Sequence, residues 1–170
     1  PALVEDVATA LEAASRDPSI GCAVLAAQGR SFCAGANFGS GGSSSEGREL
    51  IGSGLTERLY AAAARLCSIG IPIVAAVHGP AIGGGLGLAM TANLRVTCPE
   101  ARYCANFAAL GIHQGFGLSV TLPEVIGPAR ASLVLLTARR FGGEEATRLG
   151  MADVCVAADQ VRATAVELAS

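Results

Sequence analysis

The hydrophobic and polar positions of this chain form two patterns, helical stretches with one apolar face and short, continuously apolar segments. Residues 3–15 carry apolar side chains at helical spacing, with Glu5 and Glu12 on the opposite side, which predicts an amphipathic helix. Residues 22–27 and 73–77 are short apolar runs of the kind found in parallel strands buried on both faces. The chain is therefore expected to open with a helix followed by a buried strand.

Further helices and strands alternate along the remaining sequence. This order of elements favours an α/β fold with mainly parallel strands. We see no internal repeat or linker, so we expect a single domain over residues 1–170. The predicted helices cover residues 49–66, 84–91, 118–125, 129–137, 144–149 and 160–168, and the further predicted strands cover residues 94–98, 102–106 and 153–156.

Composition limits the classes of partner. Apolar residues make up 51% of the chain, charged residues 15% and aromatic residues 4%, which predicts an aliphatic core and self-association. The net charge is −2 and the basic residues are scattered arginines, so the sequence shows no basic cluster of the kind that binds nucleic acid. The uncharged stretch 66–94 is broken by Pro72, Pro80 and glycines into pieces too short to span a membrane, so no membrane partner is expected.

The six cysteines show no CxxC spacing, so no metal site is expected. Most of them stand in apolar runs, as buried reduced thiols do. The first residues lack the basic segment of a signal peptide. We therefore expect a cytoplasmic protein.

Two glycine-containing loops follow apolar runs and carry the candidate chemistry. Residues 79–87 form a glycine-rich turn before a predicted helix, where backbone N–H groups point outward and the helix dipole adds positive potential. Residues 29–37 form a second such loop. Because glycine lets a ligand approach the main chain closely, the two loops together predict an oxyanion hole made of two backbone N–H groups. Residues 39–47 are of low complexity and are expected to form a flexible loop.

Two other kinds of site fit the sequence poorly. A dinucleotide fingerprint would need a third glycine where Leu88 or Met90 stands. A nucleophile elbow would need GxSxG, and Ser119 lacks the second glycine. His78, at the end of a predicted strand, is interpreted as a hydrogen-bonding residue rather than a catalytic base.

The motifs resemble those of the crotonase superfamily, the enoyl-CoA hydratase/isomerase group. Residues 29–37 read GRSFCAGAN, which is similar to the family pattern G-[KR]-x-F-x-A-G-A-D. Residues 75–89 read AAVHGPAIGGGLGLA, which is similar to A-x-[VI]-x-G-x-A-x-G-G-G. The resemblance continues through residues 137–146 and 150–154. It implies a crotonase-like spiral of ββα repeats without the family's N-terminal hairpin and C-terminal helices, and a homotrimer or a dimer of trimers.

The resemblance also implies a site. The two backbone amides that form the family's oxyanion hole match Ala36 and Gly84 of this chain. The family's substrate is a coenzyme A thioester, and no further cofactor is implied. Arg30 matches a basic position that meets a CoA phosphate, although a solvated surface charge is an equal interpretation. The implied lining of the pantetheine channel and acyl site is Ser31, Cys33, Ala36, Asn37, Phe38, Ala81, Gly83, Gly84, Phe107 and Leu110.

The chain lacks the family's catalytic acids at the positions where the motifs place them. The two glutamates of a hydratase fall on Gly87 and Phe107, and the acid of related dienoyl-CoA isomerases falls on Gly115. His113 is the candidate proton carrier, with a structural polar contact as the open alternative.

Two readings of the function therefore remain open. One is an enzyme that stabilises a thioester enolate. The other is a non-catalytic acyl-CoA binder or structural paralogue. Glu46, Glu49 and Glu57 follow the flexible loop and are interpreted as solvated helix charges. A serine peptidase on the same fold is a third, weaker interpretation.

Overall fold

The structure, a computed structural model, describes residues 2–35 and 54–170. Within these ranges the helices are α1 (Ala2–Arg16), α2 (Gly54–Cys67), α3 (Gly84–Met90), α4 (Leu118–Ile126), α5 (Pro128–Thr137), α6 (Gly143–Leu149) and α7 (Val161–Ala169). The strands are β1 (Ala23–Ala26), β2 (Ile73–Val77), β3 (Ala81–Ile82), β4 (Leu94–Thr97), β5 (Tyr103–Cys104) and β6 (Val154–Cys155), and a 3-10 helix covers Ala108–Leu110.

The predicted elements that lie in the described ranges are all present, with ends shifted by one or two residues. The predicted helix 49–66 begins outside these ranges, and its described part is α2. The sequence failed to predict β3, because two residues between Pro80 and a glycine cluster carry no strand periodicity. This strand exists because β5 pairs with it.

A parallel sheet with the order β1-β2-β4-β6 forms the centre of the fold, as the alternation of elements predicted. Val74 pairs with Val24 of β1 and Leu94 of β4, so β2 is hydrogen-bonded on both sides. All five residues of β2 are buried. The expectation that β1 is buried on both faces was wrong, because β1 is half-buried throughout and has β2 on one side only within the described ranges.

A second, small parallel sheet joins β3 to β5 and positions the candidate loops. Ala81 pairs with Tyr103 and Ile82 with Cys104. Cys33 adds a parallel bridge to Ala81, and Phe141 adds an antiparallel bridge to Tyr103. The first glycine loop is therefore tied directly to the strand that leads into the second.

Helix α1 packs against α2 and is held there by two ion pairs. Arg58 bonds both carboxylate oxygens of Glu5 at 3.0 Å, and Arg65 bonds those of Glu12 at 2.7 and 2.8 Å. The hydrogen bond from Arg65 is the main cause that lowers the pKa of Glu12. These contacts join α1 to α2, and α2 carries the exposed residue Tyr60.

The six cysteines lie among the described residues and are free thiols. Cys98 and Cys104 are buried as expected, whereas Cys67 is exposed. Burial raises the pKa of the Cys98 and Cys104 thiols, so both remain protonated at neutral pH. Among the helices of the described ranges, none combines the length and apolar character needed to cross a bilayer.

Arg95 is a buried cation at the centre of the main sheet. The residue is 3% exposed, and its guanidinium donates to the carbonyl oxygens of Met151 at 2.7 Å, Ala92 at 2.5 Å and Asn93 at 3.1 Å. It also contacts Asp153 at 3.4 Å. Burial lowers the pKa of this guanidinium, but its partners satisfy the charge and join β4 to the segment before β6.

We predict that Arg95→Met lowers the free energy of unfolding by about 3 kcal/mol, because two buried carbonyl groups and one part-buried carbonyl group lose their donor. Urea unfolding measures this change. Arg58→Met is the matched control, since that arginine is 68% exposed and its ion pair is worth less than about 1 kcal/mol. Equal losses in the two variants would contradict the assignment of Arg95 as a structural centre.

Candidate functional site

The described part of the first loop, residues 31–35, lies against the turn between β2 and α3. The Cys33 N–H donates to the Pro80 carbonyl at 2.9 Å, and the Ile82 N–H donates to the Cys33 carbonyl at 3.0 Å. The Ala81 N–H donates to the Arg102 carbonyl and the Gly83 N–H donates to the Cys104 carbonyl, both at 2.8 Å. The two loops predicted to form the site are therefore held together by backbone hydrogen bonds.

Glycine is required where the loops touch. A Cβ on Gly79 would collide with the Arg30 carbonyl, and one on Gly85 would collide with the Cys33 carbonyl. Both obstacles are backbone atoms, which cannot move without breaking the loop contacts. The glycines of the second motif therefore act by letting two chain segments approach closely.

Gly84 presents its backbone N–H at this junction. It is the first residue of α3, so this N–H has no partner within the helix. No hydrogen bond joins it to another group in the described part of the chain. The preceding Gly83 has φ +55° and ψ −117°, a conformation available to glycine that turns the chain into the helix. Gly84 itself is half-buried.

Gly35 brings the first loop next to this amide. Its φ is +83°, and a Cβ there would lie 2.6 Å from the Ile82 carbonyl oxygen and 3.7 Å from the Gly84 nitrogen. The predicted partner amide belongs to the next residue, Ala36, which lies outside the described residues, as do Asn37, Phe38, Glu46 and Glu49.

Aromatic side chains occupy the space beside Gly87 and Gly115, two positions at which the sequence resemblance predicts the family acids to be replaced. A Cβ on buried Gly87 would lie 2.5 Å from the Cβ of Phe116 and 2.8 Å from its ring. Phe116 is 3% exposed and has φ +56°, an unusual conformation for a bulky residue. The ring also lies 3.7 Å from the Cβ position of Gly84, so it forms one wall beside the candidate amide.

A second aromatic group surrounds Gly115. A Cβ there would lie 2.6 Å from the Tyr60 hydroxyl and 3.1 Å from Cε1 of Phe107. The tip of the Phe107 ring is 3.9 Å from the Cβ position of Gly83, whose other neighbour is the Asn106 amide oxygen at 2.7 Å. Phe107 therefore links the glycine turn to Tyr60.

The histidines differ in surroundings. His78 Nε2 donates to the Gly29 carbonyl at 3.0 Å, which confirms its interpretation as a hydrogen-bonding residue. His113 is exposed, and its Nδ1 donates to the Gln114 carbonyl at 2.9 Å. This bond leaves Nε2 of a neutral ring as the proton acceptor. The Gln114 side chain donates to the Leu135 carbonyl at 3.2 Å.

The remaining predicted site residues lie on both sides of the loop junction. Arg30 and Leu110 are exposed, Ser31 and Cys33 are half-buried, and Ala81 is fully buried within β3. Glu57 is exposed on α2, in agreement with its interpretation as a solvated charge. Ala81 therefore contributes backbone structure, whereas the half-buried residues have surface available to a ligand.

No sequence pattern singled out Tyr60, Asn106 or Phe116 as site residues. Tyr60 stands 55 positions before the glycine that it contacts, and no spacing rule relates a helix surface to a distant loop. Phe116 follows Gly115 and has two more glycines close by. Such a glycine-rich run indicates a turn, which is where left-handed backbone conformations occur.

The chain is similar to proteins of one known family along its whole length. The family model described as enoyl-CoA hydratase/isomerase matches residues 1–170. The chain is 39% identical over 165 residues to the probable enoyl-CoA hydratase EchA14 of Mycobacterium tuberculosis, covering 95% of this chain and 61% of the relative. It is 34% identical over 167 residues to the carnitinyl-CoA dehydratase of Proteus mirabilis, covering 90% of this chain and 58% of the relative.

Solved structures have the same fold. The crystal structure of an enoyl-CoA hydratase from Bacillus anthracis superposes with a TM-score of 0.85 at 26% identity, covering 99% of this chain and 64% of that one. The expected crotonase-like fold is thereby confirmed. The chain spans about three fifths of the length of the relatives that it matches.

The contact between Gly87 and Phe116 gives a test by double-mutant cycle. We predict that Gly87→Ala alone costs about 2 kcal/mol of unfolding free energy, because the new Cβ overpacks against Phe116. In a Phe116→Gly background the same substitution should cost clearly less. Gly54→Ala is the control, since a Cβ there meets nothing within 4 Å. Additive losses, measured by urea unfolding, would contradict the contact.

Proposed function

The chain belongs to the enoyl-CoA hydratase/isomerase family, and we propose that it binds an acyl-CoA thioester with the thioester oxygen on the backbone N–H groups of Gly84 and Ala36. One observation carries this proposal. The Cβ position of Gly35 lies 3.7 Å from the Gly84 nitrogen, whose N–H has no partner within the described residues, which supports the proposal that the next residue, Ala36, supplies the second donor. The relatives' names, enoyl-CoA hydratase and carnitinyl-CoA dehydratase, both refer to CoA thioesters.

Two fixed donors suit a reaction through an enolate. When a proton leaves the α-carbon, or a nucleophile adds to the β-carbon of an enoyl thioester, negative charge collects on the thioester oxygen. Donors positioned beforehand stabilise that charge as it develops, and each is typically worth about 2.7–4 kcal/mol in the transition state. The glycine contacts that hold the loops provide the rigidity that this requires.

The rest of the site is assigned by the same family logic. Ser31, Cys33, Asn37 and Phe38 are proposed to line the pantetheine channel, and exposed Arg30 to meet a CoA phosphate. On the acyl side the proposed lining residues are Ala81, Gly83, Phe107 and Leu110. The thioester itself is the ligand, and the proposal includes no further cofactor.

His113 is the proposed proton carrier. Its Nδ1 is engaged by the Gln114 carbonyl, so Nε2 is the atom that accepts and returns a proton. The exposure of the ring allows exchange of that proton with solvent. A general acid–base group in this role contributes about 10²–10⁴-fold to the rate.

Assembly and location complete the proposal. Leu133 and Leu136 on α5 are 50% and 71% exposed, an apolar surface that favours self-association. We propose a homotrimer or a dimer of trimers in the cytoplasm.

Binding of a thioester and its thioether analogue tests the oxyanion hole. In calorimetry, butyryl-CoA should bind about tenfold more tightly than S-butyl-CoA, which lacks the oxygen, because two neutral hydrogen bonds contribute about 0.5–1.5 kcal/mol each. Equal affinities would reject the two-donor site. Failure of both ligands to bind would reject acyl-CoA binding altogether.

A non-catalytic acyl-CoA binder is the second candidate, favoured by one observation. The space beside Gly87 and Gly115, where catalytic acids of the family are expected, is filled by the aromatic side chains of Phe116, Phe107 and Tyr60.

Exchange of the α-protons of butyryl-CoA in deuterated water, followed by NMR, distinguishes the two functions. An enzyme should exchange these protons and lose about 10²-fold in rate with His113→Ala. Ligand binding without exchange would establish the binder.

A further inference from the structure

Tyr60 offers a polar atom within an otherwise aromatic wall of the candidate site. It lies on α2, and its hydroxyl oxygen is 2.6 Å from the point where a Cβ of Gly115 would stand. Its ring carbon Cε1 is 3.3 Å from the same point. Because Gly115 has no side chain, the tyrosine fills that space.

This wall is continuous with the candidate oxyanion amide. Cε1 of Phe107 lies 3.1 Å from the Cβ position of Gly115, and Cζ of the same ring lies 3.9 Å from the Cβ position of Gly83. Gly83 directly precedes Gly84. One edge of the Phe107 ring therefore lies between Gly83, next to the candidate amide, and the Gly115 position that the Tyr60 hydroxyl faces.

The Tyr60 hydroxyl forms no hydrogen bond with another residue in the described ranges. The residue as a whole is 46% exposed. By contrast, the neighbouring Gln114 amide is already engaged by the Leu135 carbonyl. A phenolic hydroxyl can donate to a ligand oxygen and accept from a ligand hydroxyl.

From this geometry we propose that Tyr60 determines acyl specificity by hydrogen bonding to an oxygen on the acyl chain beyond the α-carbon. The favoured ligands are short hydroxyacyl-CoA thioesters rather than plain acyl-CoA thioesters of the same length. This inference rests on the proposed acyl-CoA function. Tyr60 acts as a specificity residue and takes no part in forming the enolate.

Calorimetry with butyryl-CoA, 3-hydroxybutyryl-CoA and 4-hydroxybutyryl-CoA tests this inference. The unmodified chain should bind one of the two hydroxyacyl ligands about tenfold more tightly than butyryl-CoA. Tyr60→Phe should abolish that preference and leave the affinity for butyryl-CoA unchanged, because the ring remains and the hydroxyl alone is removed.

Tyr103→Phe is the matched control, since it removes the chain's other tyrosine hydroxyl. That hydroxyl is buried and bonds Thr97 at 2.7 Å, so its loss lowers stability but keeps the ligand preference. A preference that survives Tyr60→Phe, or that is lost in Asn106→Leu instead, would overturn the inference. Equal binding of all three ligands by the unmodified chain would also overturn the inference, but it would agree with the proposed acyl-CoA binding. Absence of binding by every ligand would overturn both proposals.

Discussion

The close backbone approach of two loops is the constraint on which the candidate site depends. Gly79 and Gly85 lie so near the carbonyls of Arg30 and Cys33 that any side chain would separate the segments. This approach allows the parallel bridge between Cys33 and β3, and β3 in turn depends on β5. Without the glycines, Gly84 would still begin a helix, but nothing would bring Gly35 beside it.

In the proposed function, this junction combines a backbone site with side chains that differ from those implied by the family resemblance. The candidate donor is a main-chain N–H, which is independent of the side chains around it. The neighbouring side chains are free to change, and here Phe116 and Phe107 make the surroundings apolar. An apolar wall strengthens hydrogen bonds to a developing charge. It also leaves the polar groups at the edge, Tyr60 and His113, as the candidates for specificity and proton transfer.

Much of the fold could be predicted from local patterns, whereas the walls of the site could not. The run Ile73–Val77 and the glycines after it identified a buried strand and a tight turn, because both features depend on neighbouring residues. The two-residue strand Ala81–Ile82 depends on a partner about 20 residues away and left no local signal. Tyr60 and Gly115 meet through the tertiary packing of α2, which periodicity cannot reveal.

A crystal structure with butyryl-CoA bound is the most direct measurement of the central claim. The account predicts that the thioester oxygen lies about 2.7–3.1 Å from the backbone nitrogens of both Gly84 and Ala36. A thioester oxygen that contacts neither nitrogen, or an Ala36 nitrogen too distant to share that oxygen with Gly84, would contradict it.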